Sequence, residues 1–303
     1  MDSVETFVLF IGFHNGGHSV IGSLMDAHPD MIIPHEFNLF QVWPKNKQLH
    51  EKTSLFNAIY RKSREEAKKG QQATSHNYVN SGWQGRFQKL QVIGDKSAHT
   101  TTLSYLKSQE KASAYFREIA ETTGVPVQAV FVVRNPYDMI ARETIEMKEV
   151  RSSHYSKEKK FNNTLMVKGQ SARLFQEAKA VEEMIVNWNL DTLEIHMEDF
   201  MTHPKEVMQD VCDFVQVDCS AEYLQQCYDK TLGEVSHTRT RDLIYWSPDI
   251  QHWVDSSINK YSFFQGYTLD SDRYERPEDS DGAFGDKDGA YLHNDNHKKD
   301  NGR

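Results

Sequence analysis

The 303-residue chain contains little cysteine and no excess of positive charge. Its cysteines, Cys212, Cys219 and Cys227, show no CxxC spacing, so neither a zinc motif nor a dithiol motif is indicated. We therefore predict free, buried thiols and a cytoplasmic protein. Lys and Arg number 35 against 44 Asp and Glu, a net charge of −9. This balance argues against an extended nucleic-acid-binding surface.

Long hydrophobic runs are also absent. The longest apolar run near the start, residues 7–11, is far shorter than the roughly 20 residues that cross a bilayer. It has neither a basic flank nor a cleavage-type stretch of small residues, so it does not resemble a signal peptide. We therefore expect no membrane association.

Short apolar runs instead alternate with helical patterns. Strands are predicted at residues 6–12, 91–94, 127–133 and 193–198, and helices at about 19–27, 54–69, 101–122, 135–148, 171–188, 204–215 and 248–261. Nearly continuous apolar strands that alternate with helices predict an α/β fold, with a central parallel sheet flanked by helices.

The chain length permits two domains, but the motifs below run through most of it in one order. We predict one α/β domain over residues 1–270, with polar insertions at about 40–89 and 150–170. Residues 271–303 are polar and have few apolar side chains, so this tail is expected to be disordered.

A glycine-rich segment, residues 12–19, follows the first predicted strand and precedes a helix. Glycines allow backbone N–H groups to turn toward an anion, and a helix N-terminus favours negative charge. The spacing G-x-x-x-x-G-x-S is that of a P-loop, with histidine in the lysine position. The segment predicts a P-loop-type, nucleotide-binding fold in which phosphate contacts come from Asn15, Gly16, Gly17, His18 and Ser19.

A nucleotide kinase would use the loop lysine and an acidic residue at a neighbouring strand end to hold Mg²⁺. Here the strand at 127–133 is followed by Arg134, a cation that suits a second phosphate rather than a metal. The pattern thus disfavours a P-loop kinase, which stays as an alternative, and predicts no metal.

Taken together, the motifs resemble the sulfotransferases that use 3′-phosphoadenosine 5′-phosphosulfate (PAPS). The first family signature matches residues 12–19 with His28-Pro29, and the second, R-N-P-x-D, matches residues 134–138. Residues 198–200, Trp246 and residues 265–267 match later family features, so the resemblance spans about residues 5–270. It implies transfer of a sulfuryl group from PAPS to a hydroxyl or amine of a small-molecule acceptor, with adenosine 3′,5′-bisphosphate (PAP) as product.

The resemblance also implies residue roles. Lys96 would stabilise the leaving phosphate, and Arg134 would bind the 3′-phosphate with Arg142, Ser236 and either Arg239 or Arg241. Glu36 follows His28 with the spacing of the catalytic glutamate of tyrosylprotein-type (Golgi) members, although no membrane anchor accompanies it here; His99 is the alternative base. His18 would donate to the sulfuryl or bridging oxygen if protonated, or act as a neutral helix cap.

Two departures from the family pattern are Asn15, where a basic residue is usual, and Arg142, where a serine is usual. They leave open a catalytically inactive, nucleotide-binding relative. Family members often dimerise, so a homodimer is a further expectation.

Overall fold

The computed structural model describes residues 3–69, 83–146, 155–156, 159–234 and 239–271. Its centre is a five-stranded sheet in the order β2-β3-β1-β4-β5, and every strand pair is parallel. The strands are β1 (Thr6–Gly12), β2 (Met31–Ile32), β3 (Val92–Asp95), β4 (Val127–Val133) and β5 (Asp191–His196). The predicted α/β class with a parallel sheet is confirmed.

Helices cover both faces of the sheet. They are α1 (His18–Asp26), α2 (Leu39–Val42), α3 (Lys52–Lys69), α4 (Ala98–Lys107), α5 (Gln109–Thr123), α6 (Pro136–Glu146), α7 (Thr164–Asn187), α8 (Met197–Thr202), α9 (Pro204–Phe214), α10 (Ala221–Glu234) and α11 (Pro248–Ile258). Short 3₁₀ turns lie at Trp43–Lys45, Lys47–His50, Thr240–Leu243 and Ser262–Phe264.

β1 is buried along its whole length because it lies between β3 and β4. Phe7, Leu9 and Ile11 pack into the core on one face of the sheet, whereas Val8 and Phe10 pack into the core on the other. Side chains alternate across a strand, so a strand covered on both faces is apolar at every position. The carboxyl ends of the parallel strands share one edge of the sheet, and the loops there carry most of the predicted site residues.

Several boundaries differ from the sequence predictions. The helix predicted over residues 101–122 is two helices, because Ser108 is extended and its hydroxyl caps α5 by accepting the Lys111 N–H. β5 ends at His196, and Met197 already begins α8. The sequence analysis missed β2, α2, α8 and α10, of which the first three are very short.

The cysteine prediction is wrong for two of the three residues. Cys212 and Cys219 form a disulfide, with their Cα atoms 6.0 Å apart, whereas Cys227 is free and buried. In one continuous helix, residues seven apart would be about 10 Å distant. The chain instead turns between α9 and α10, with Gln216 in the left-handed region, and this turn brings the two sulfurs together.

Some predictions fall largely outside the described residues. The 40–89 insertion contains α2, two 3₁₀ turns and α3, and residues 70–82 within it are not described. Most of the first half of the 150–170 insertion, and the tail from residue 272 onward, are likewise outside the description, so the domain division stays a prediction. Of the helices that are described, none combines the length and apolarity needed to cross a membrane.

Candidate active site

The glycine-rich segment forms the turn between β1 and α1, as predicted. Asn15 and Gly17 both have left-handed backbones, with φ of 61° and 96°. A Cβ on Gly17 would lie 2.4 Å from the Met197 sulfur, so the position has neither the backbone nor the space for a side chain. Gly17 also supplies no side-chain cap to α1. The first N–H groups of this helix therefore have no side-chain cap, which suits an anion.

His18 is the first residue of α1 and is buried. Burial, together with the nearby positive charge of Lys96, holds the pKa of His18 well below 6.5. The imidazole is therefore neutral near pH 7 when no anion is bound.

Lys96 directly follows β3 and is buried with 1% of its surface exposed. Its ammonium donates to the Ser19 hydroxyl at 3.2 Å and lies 3.6 Å from the Glu36 carboxylate. Burial lowers the pKa of Lys96 to about 8, so the group remains mostly charged at neutral pH. The structure thus brings together three predicted site residues from three separate segments.

The stem of Lys96 runs across α1 at Gly22. A Cβ at Gly22 would lie only 2.3 Å from Lys96 Cγ. The sequence analysis did not anticipate this close contact. Its one signal was a glycine in the middle of a helix, where alanine is favoured by about 1 kcal/mol.

Glu36 lies in the loop after β2 and has a left-handed backbone with φ of 49°. Its side chain is 42% exposed, and its carboxylate faces Lys96. Neighbouring His35 is buried, and neither of its ring nitrogens has a hydrogen-bond partner among the described residues. Burial and the charge of Lys96 lower the pKa of His35 to about 3, so this ring is neutral.

Asp95, the last residue of β3, binds the loop that carries Glu36. Its two carboxylate oxygens accept the N–H groups of Phe37 at 3.0 Å and Leu39 at 2.7 Å. The Ser97 hydroxyl donates to the same carboxylate at 2.5 Å and accepts the Asn38 N–H at 2.8 Å. Burial raises the pKa of Asp95, although these hydrogen bonds act in the opposite direction.

His99, the alternative base, lies on α4 and contacts α7. Its Nε2 is 3.0 Å from an Arg173 guanidinium nitrogen and 3.3 Å from the Glu177 carboxylate. Since arginine can only donate, its shorter contact assigns the lone pair to Nε2 and the ring proton to Nδ1. His99 therefore already uses its lone pair, whereas Glu36 presents a partly exposed carboxylate beside Lys96.

The first half of the loop is bonded to α6. Glu143 accepts from Asn15 at 3.3 Å and Arg173 at 2.8 Å and also bonds His14. The Glu143 bond raises the pKa of His14, and the reciprocal contact lowers the pKa of Glu143. Asn15, which replaces the usual basic residue, thus directs its amide toward a carboxylate.

Arg142, the other departure from the family pattern, pairs with Glu146 one turn along α6 at 2.5 Å. Ligand atoms of His14, Glu143 and Glu146 lie within 4.8 Å of one another, close enough in principle to hold a metal ion. Both carboxylates already bond amide or guanidinium donors.

Arg134 follows β4 at the start of the R-N-P-x-D motif. The next residue, Asn135, donates its N–H to Glu198 at 2.9 Å, and the Tyr267 hydroxyl donates to the other Glu198 oxygen at 2.6 Å. Three segments that were matched separately in the sequence therefore meet at the carboxyl end of β4.

The two arginines considered for the 3′-phosphate differ in their surroundings. Arg241 is buried, pairs with Asp138 and donates to the Leu269 carbonyl at 2.8 Å. Arg239 is more exposed and lies 3.5 Å from Asp242. Arg241 thus links α6 to the segment around Leu269. Ser236, the remaining residue predicted for this phosphate, lies outside the described residues.

These features define a parallel α/β protein with a glycine-rich turn, a buried lysine and a partly exposed carboxylate at the carboxyl edge of its sheet. Residues 8–221 match the model of the family described as "Sulfotransferase family". The chain belongs to the sulfotransferase family.

Solved structures with a similar fold include three sulfotransferases. STF9 from Mycobacterium avium is 10% identical, with 86% of this chain and 77% of that chain covered and a TM-score of 0.44. The olefin synthase sulfotransferase domain from Synechococcus PCC 7002 is 11% identical, with 85% and 94% covered and a TM-score of 0.47. Mouse SULT7A1 complexed with PAP is 11% identical, with 86% of each chain covered and a TM-score of 0.43. No curated protein matches the sequence.

Proposed function

We propose that this protein transfers the sulfuryl group of PAPS to a hydroxyl or amine of a small-molecule acceptor and releases PAP. The observation that carries the proposal is the position of the Lys96 ammonium, 3.2 Å from the Ser19 hydroxyl of the phosphate loop and 3.6 Å from the Glu36 carboxylate. A cation between an anion-binding loop and a carboxylate suits a reaction in which a phosphate leaves and an acceptor loses a proton.

The donor would supply a sulfuryl group bonded to a phosphate leaving group. The loop formed by residues 14–19 suits the 5′-phosphosulfate, because Gly17 leaves α1 without a side-chain cap. Ser19 adds a hydroxyl that already points to Lys96. His18 is neutral in the free protein and can donate one N–H to an anion oxygen.

Lys96 would neutralise the charge that develops on the leaving phosphate. Its ammonium is held in a water-poor position, where a fixed charge acts more strongly than in bulk water. The stem of Lys96 packs directly against Gly22, and this close contact helps to hold the ammonium in its position.

Glu36 would accept the acceptor's proton. Its carboxylate is partly exposed, as a group that meets a diffusing acceptor must be, and it lies beside Lys96. His99 is the weaker candidate because its Nε2 faces the Arg173 guanidinium.

The 3′-phosphate would bind near Arg134, at the carboxyl end of β4. Guanidinium groups form charge-assisted, bidentate contacts with such dianions. Arg142, Ser236 and Arg239 stay in the proposal as further contacts. Arg241 is better explained as a buried partner of Asp138.

PAP titration tests the proposal directly. PAP should raise the melting temperature of the protein, whereas ADP, which lacks the 3′-phosphate, should have a much smaller effect. Stabilisation by ADP alone would overturn the choice of donor. Turnover is then measured as conversion of PAPS to PAP, with 2-naphthol as a phenol acceptor and tyramine as an acceptor that offers both a phenol and an amine.

A P-loop kinase is the second candidate, motivated by the loop spacing. It needs a strand-end carboxylate for Mg²⁺, and β3 does end in Asp95. Both oxygens of that carboxylate accept hydrogen bonds from Phe37, Leu39 and Ser97, which leaves the group poorly placed to hold a metal. Mg²⁺-dependent ATP turnover would revive this candidate.

An inactive nucleotide-binding relative predicts PAP binding without transfer. Lys96→Ala and Glu36→Ala separate the two cases, because only an enzyme can lose PAPS turnover by these changes. Lys179, which is 70% exposed on α7, provides the control substitution Lys179→Ala.

A homodimer and a cytoplasmic location complete the proposal. The Cys212–Cys219 disulfide removes the argument from free thiols for a reducing compartment. Sedimentation of the purified protein tests the dimer, and cell fractionation tests the location.

A further inference from the structure

We propose that Asp95 is a positioning residue that holds Glu36 in a left-handed conformation against Lys96. The inference rests on the proposed function, because it assigns a purpose to the placement of the candidate base. It adds a residue for which neither the sequence motifs nor the family resemblance gave a role.

The connection between Asp95 and Glu36 runs through backbone hydrogen bonds. Asp95 is fully buried, and its carboxylate accepts hydrogen bonds from the N–H groups of Phe37 and Leu39, which follow Glu36 in the loop. Ser97 completes the clamp, since its hydroxyl joins the Asp95 carboxylate to the Asn38 N–H. Every backbone N–H from residue 37 to residue 39 is therefore held from the end of β3.

The clamped segment has an unfavourable backbone. Glu36 and Asn38 have φ values of 49° and 60°. Asparagine tolerates the left-handed region, but glutamate does not enter it without a cost. A residue persists in such a conformation only where its surroundings impose it. Asp95 and Ser97 hold the N–H groups that follow Glu36, while the Asn38 amide donates to the Glu36 carbonyl at 3.0 Å within the loop.

The geometry of the clamp also fixes the distance between the two candidate catalytic side chains. Asp95 precedes Lys96 directly, so one strand end positions the lysine through the chain and the glutamate through hydrogen bonds. A parallel β-bridge between His35 and Lys96 also aligns the backbone of the loop after β2 with the end of β3. The separation of 3.6 Å between the Lys96 ammonium and the Glu36 carboxylate is the result.

The chain offers a matched control for the clamp. Asp26 is also buried, accepts the Ile33 N–H at 2.7 Å and receives the Ser63 hydroxyl at 2.8 Å. This pair has the same chemistry as Asp95 and Ser97, but its bonds to Ile33 and Ser63 lie outside residues 36–39. Ser63→Ala therefore reports the general effect of weakening a buried Asp–Ser pair.

The first experiment is a double-mutant cycle on PAPS turnover with 2-naphthol and tyramine. Asp95→Asn should lower kcat at least about tenfold while changing PAP affinity less than about threefold, because misplacing a reacting group affects the chemical step. In the Asp95→Asn background, Glu36→Gln should cause little further loss. Ser97→Ala should show the same pattern more weakly. It replaces Asp95→Asn in the cycle if the latter variant does not fold.

The second experiment needs no turnover. Glu36→Asn removes a side chain that resists the left-handed region, so it should raise the melting temperature by about 2 °C in the wild-type background. In the Ser97→Ala and Asp95→Asn backgrounds the gain should shrink, since a loosened loop can relax on its own. The Ser63→Ala background should retain the full gain.

The outcomes separate this inference from the proposed function. Failure of PAP to bind contradicts the proposed function, whereas full activity of Glu36→Gln excludes Glu36 as the base and this inference with it. If Glu36→Gln is inactive but Asp95→Asn and Ser97→Ala turn over at the wild-type rate, the positioning role is wrong. Equal gains from Glu36→Asn in all backgrounds, or additive losses in the turnover cycle, likewise overturn it.

Discussion

Gly22 and Lys96 pack so closely that a Cβ at residue 22 would lie 2.3 Å from Lys96 Cγ. The clash would meet the stem of the lysine near its root, where few rotatable bonds are available to relieve it. The position of the ammonium in the candidate site therefore depends on a hydrogen atom in place of a side chain on the facing helix.

We predict that Gly22→Ala displaces Lys96 and lowers PAPS turnover by about 100-fold, the order expected from a shift of about 1 Å in a reacting group. The measurement is steady-state conversion of PAPS to PAP. Gly169→Ala on α7 is the control, because nothing lies within 4 Å of the added Cβ. That variant should be fully active and more stable by about 0.5–1 kcal/mol. Equal activity in the two variants would contradict the packing argument.

Asp26 should make stability fall as the pH rises. Burial raises its pKa to about 7 in the folded protein, against about 3.8 in an unfolded chain. Between these two pH values the folded state binds the proton more tightly than the unfolded state does. The contribution of protonated Asp26 to the free energy of unfolding is therefore complete below about pH 4 and is lost by about pH 7. Asp26→Asn mimics the protonated form and should remove this loss, which amounts to at most about 4 kcal/mol.

Urea unfolding of Asp26→Asn and the wild-type protein at pH 5 and pH 8 checks this prediction. The variant should gain stability relative to wild type at the higher pH. Parallel pH dependence in the two proteins would show that Asp26 is ionised throughout this range.

His18 should couple PAP binding to proton uptake. Its pKa lies well below 6.5 in the free protein because of burial and Lys96. A phosphate dianion beside the ring favours the charged form, so binding should raise that pKa and affinity should increase as the pH falls toward 6. Calorimetry in two buffers with different ionisation enthalpies measures the protons taken up.

The matched substitutions for this coupling are His18→Asn and His203→Asn. The His203 side chain is 61% exposed, whereas His18 is buried. His18→Asn should abolish the proton uptake, and His203→Asn should leave it intact. Identical uptake in the two variants would assign the coupling to another group.

The disulfide predicts the number of reactive thiols. Unfolded without reductant, the purified protein should react with an alkylating reagent once, at Cys227. After reduction it should react at Cys212 and Cys219 as well. Peptide mass spectrometry counts the labelled sites, and three labels before reduction would show that the bond does not form in solution.

Sequence patterns were sufficient where a local signal had one physical meaning. β4 was predicted with its observed bounds, because a short apolar run between a Gly-Val-Pro turn and Asn-Pro predicts a buried strand. The glycine-rich turn before α1 was predicted for the same reason. The single helix predicted over residues 101–122 was wrong because the capping signal of Ser108 is one residue long.

Contacts between distant segments were not predictable in this way. The Cys212–Cys219 bond depends on a turn at Gln216, whose left-handed backbone carries no strong sequence signal. The Asp95 clamp depends on the register between β3 and the loop after β2, which is set by packing across the sheet.

The sequence by itself determined the α/β class, the glycine-rich turn after β1 and the order of the family's motifs, because each depends on local backbone chemistry or on the order of residues along the chain. Tertiary structure alone decided that Glu36 meets Lys96, that Gly22 admits the lysine and that Asp95 holds the loop. These relationships are distances between segments far apart in the chain, and only the packed core brings such segments into register.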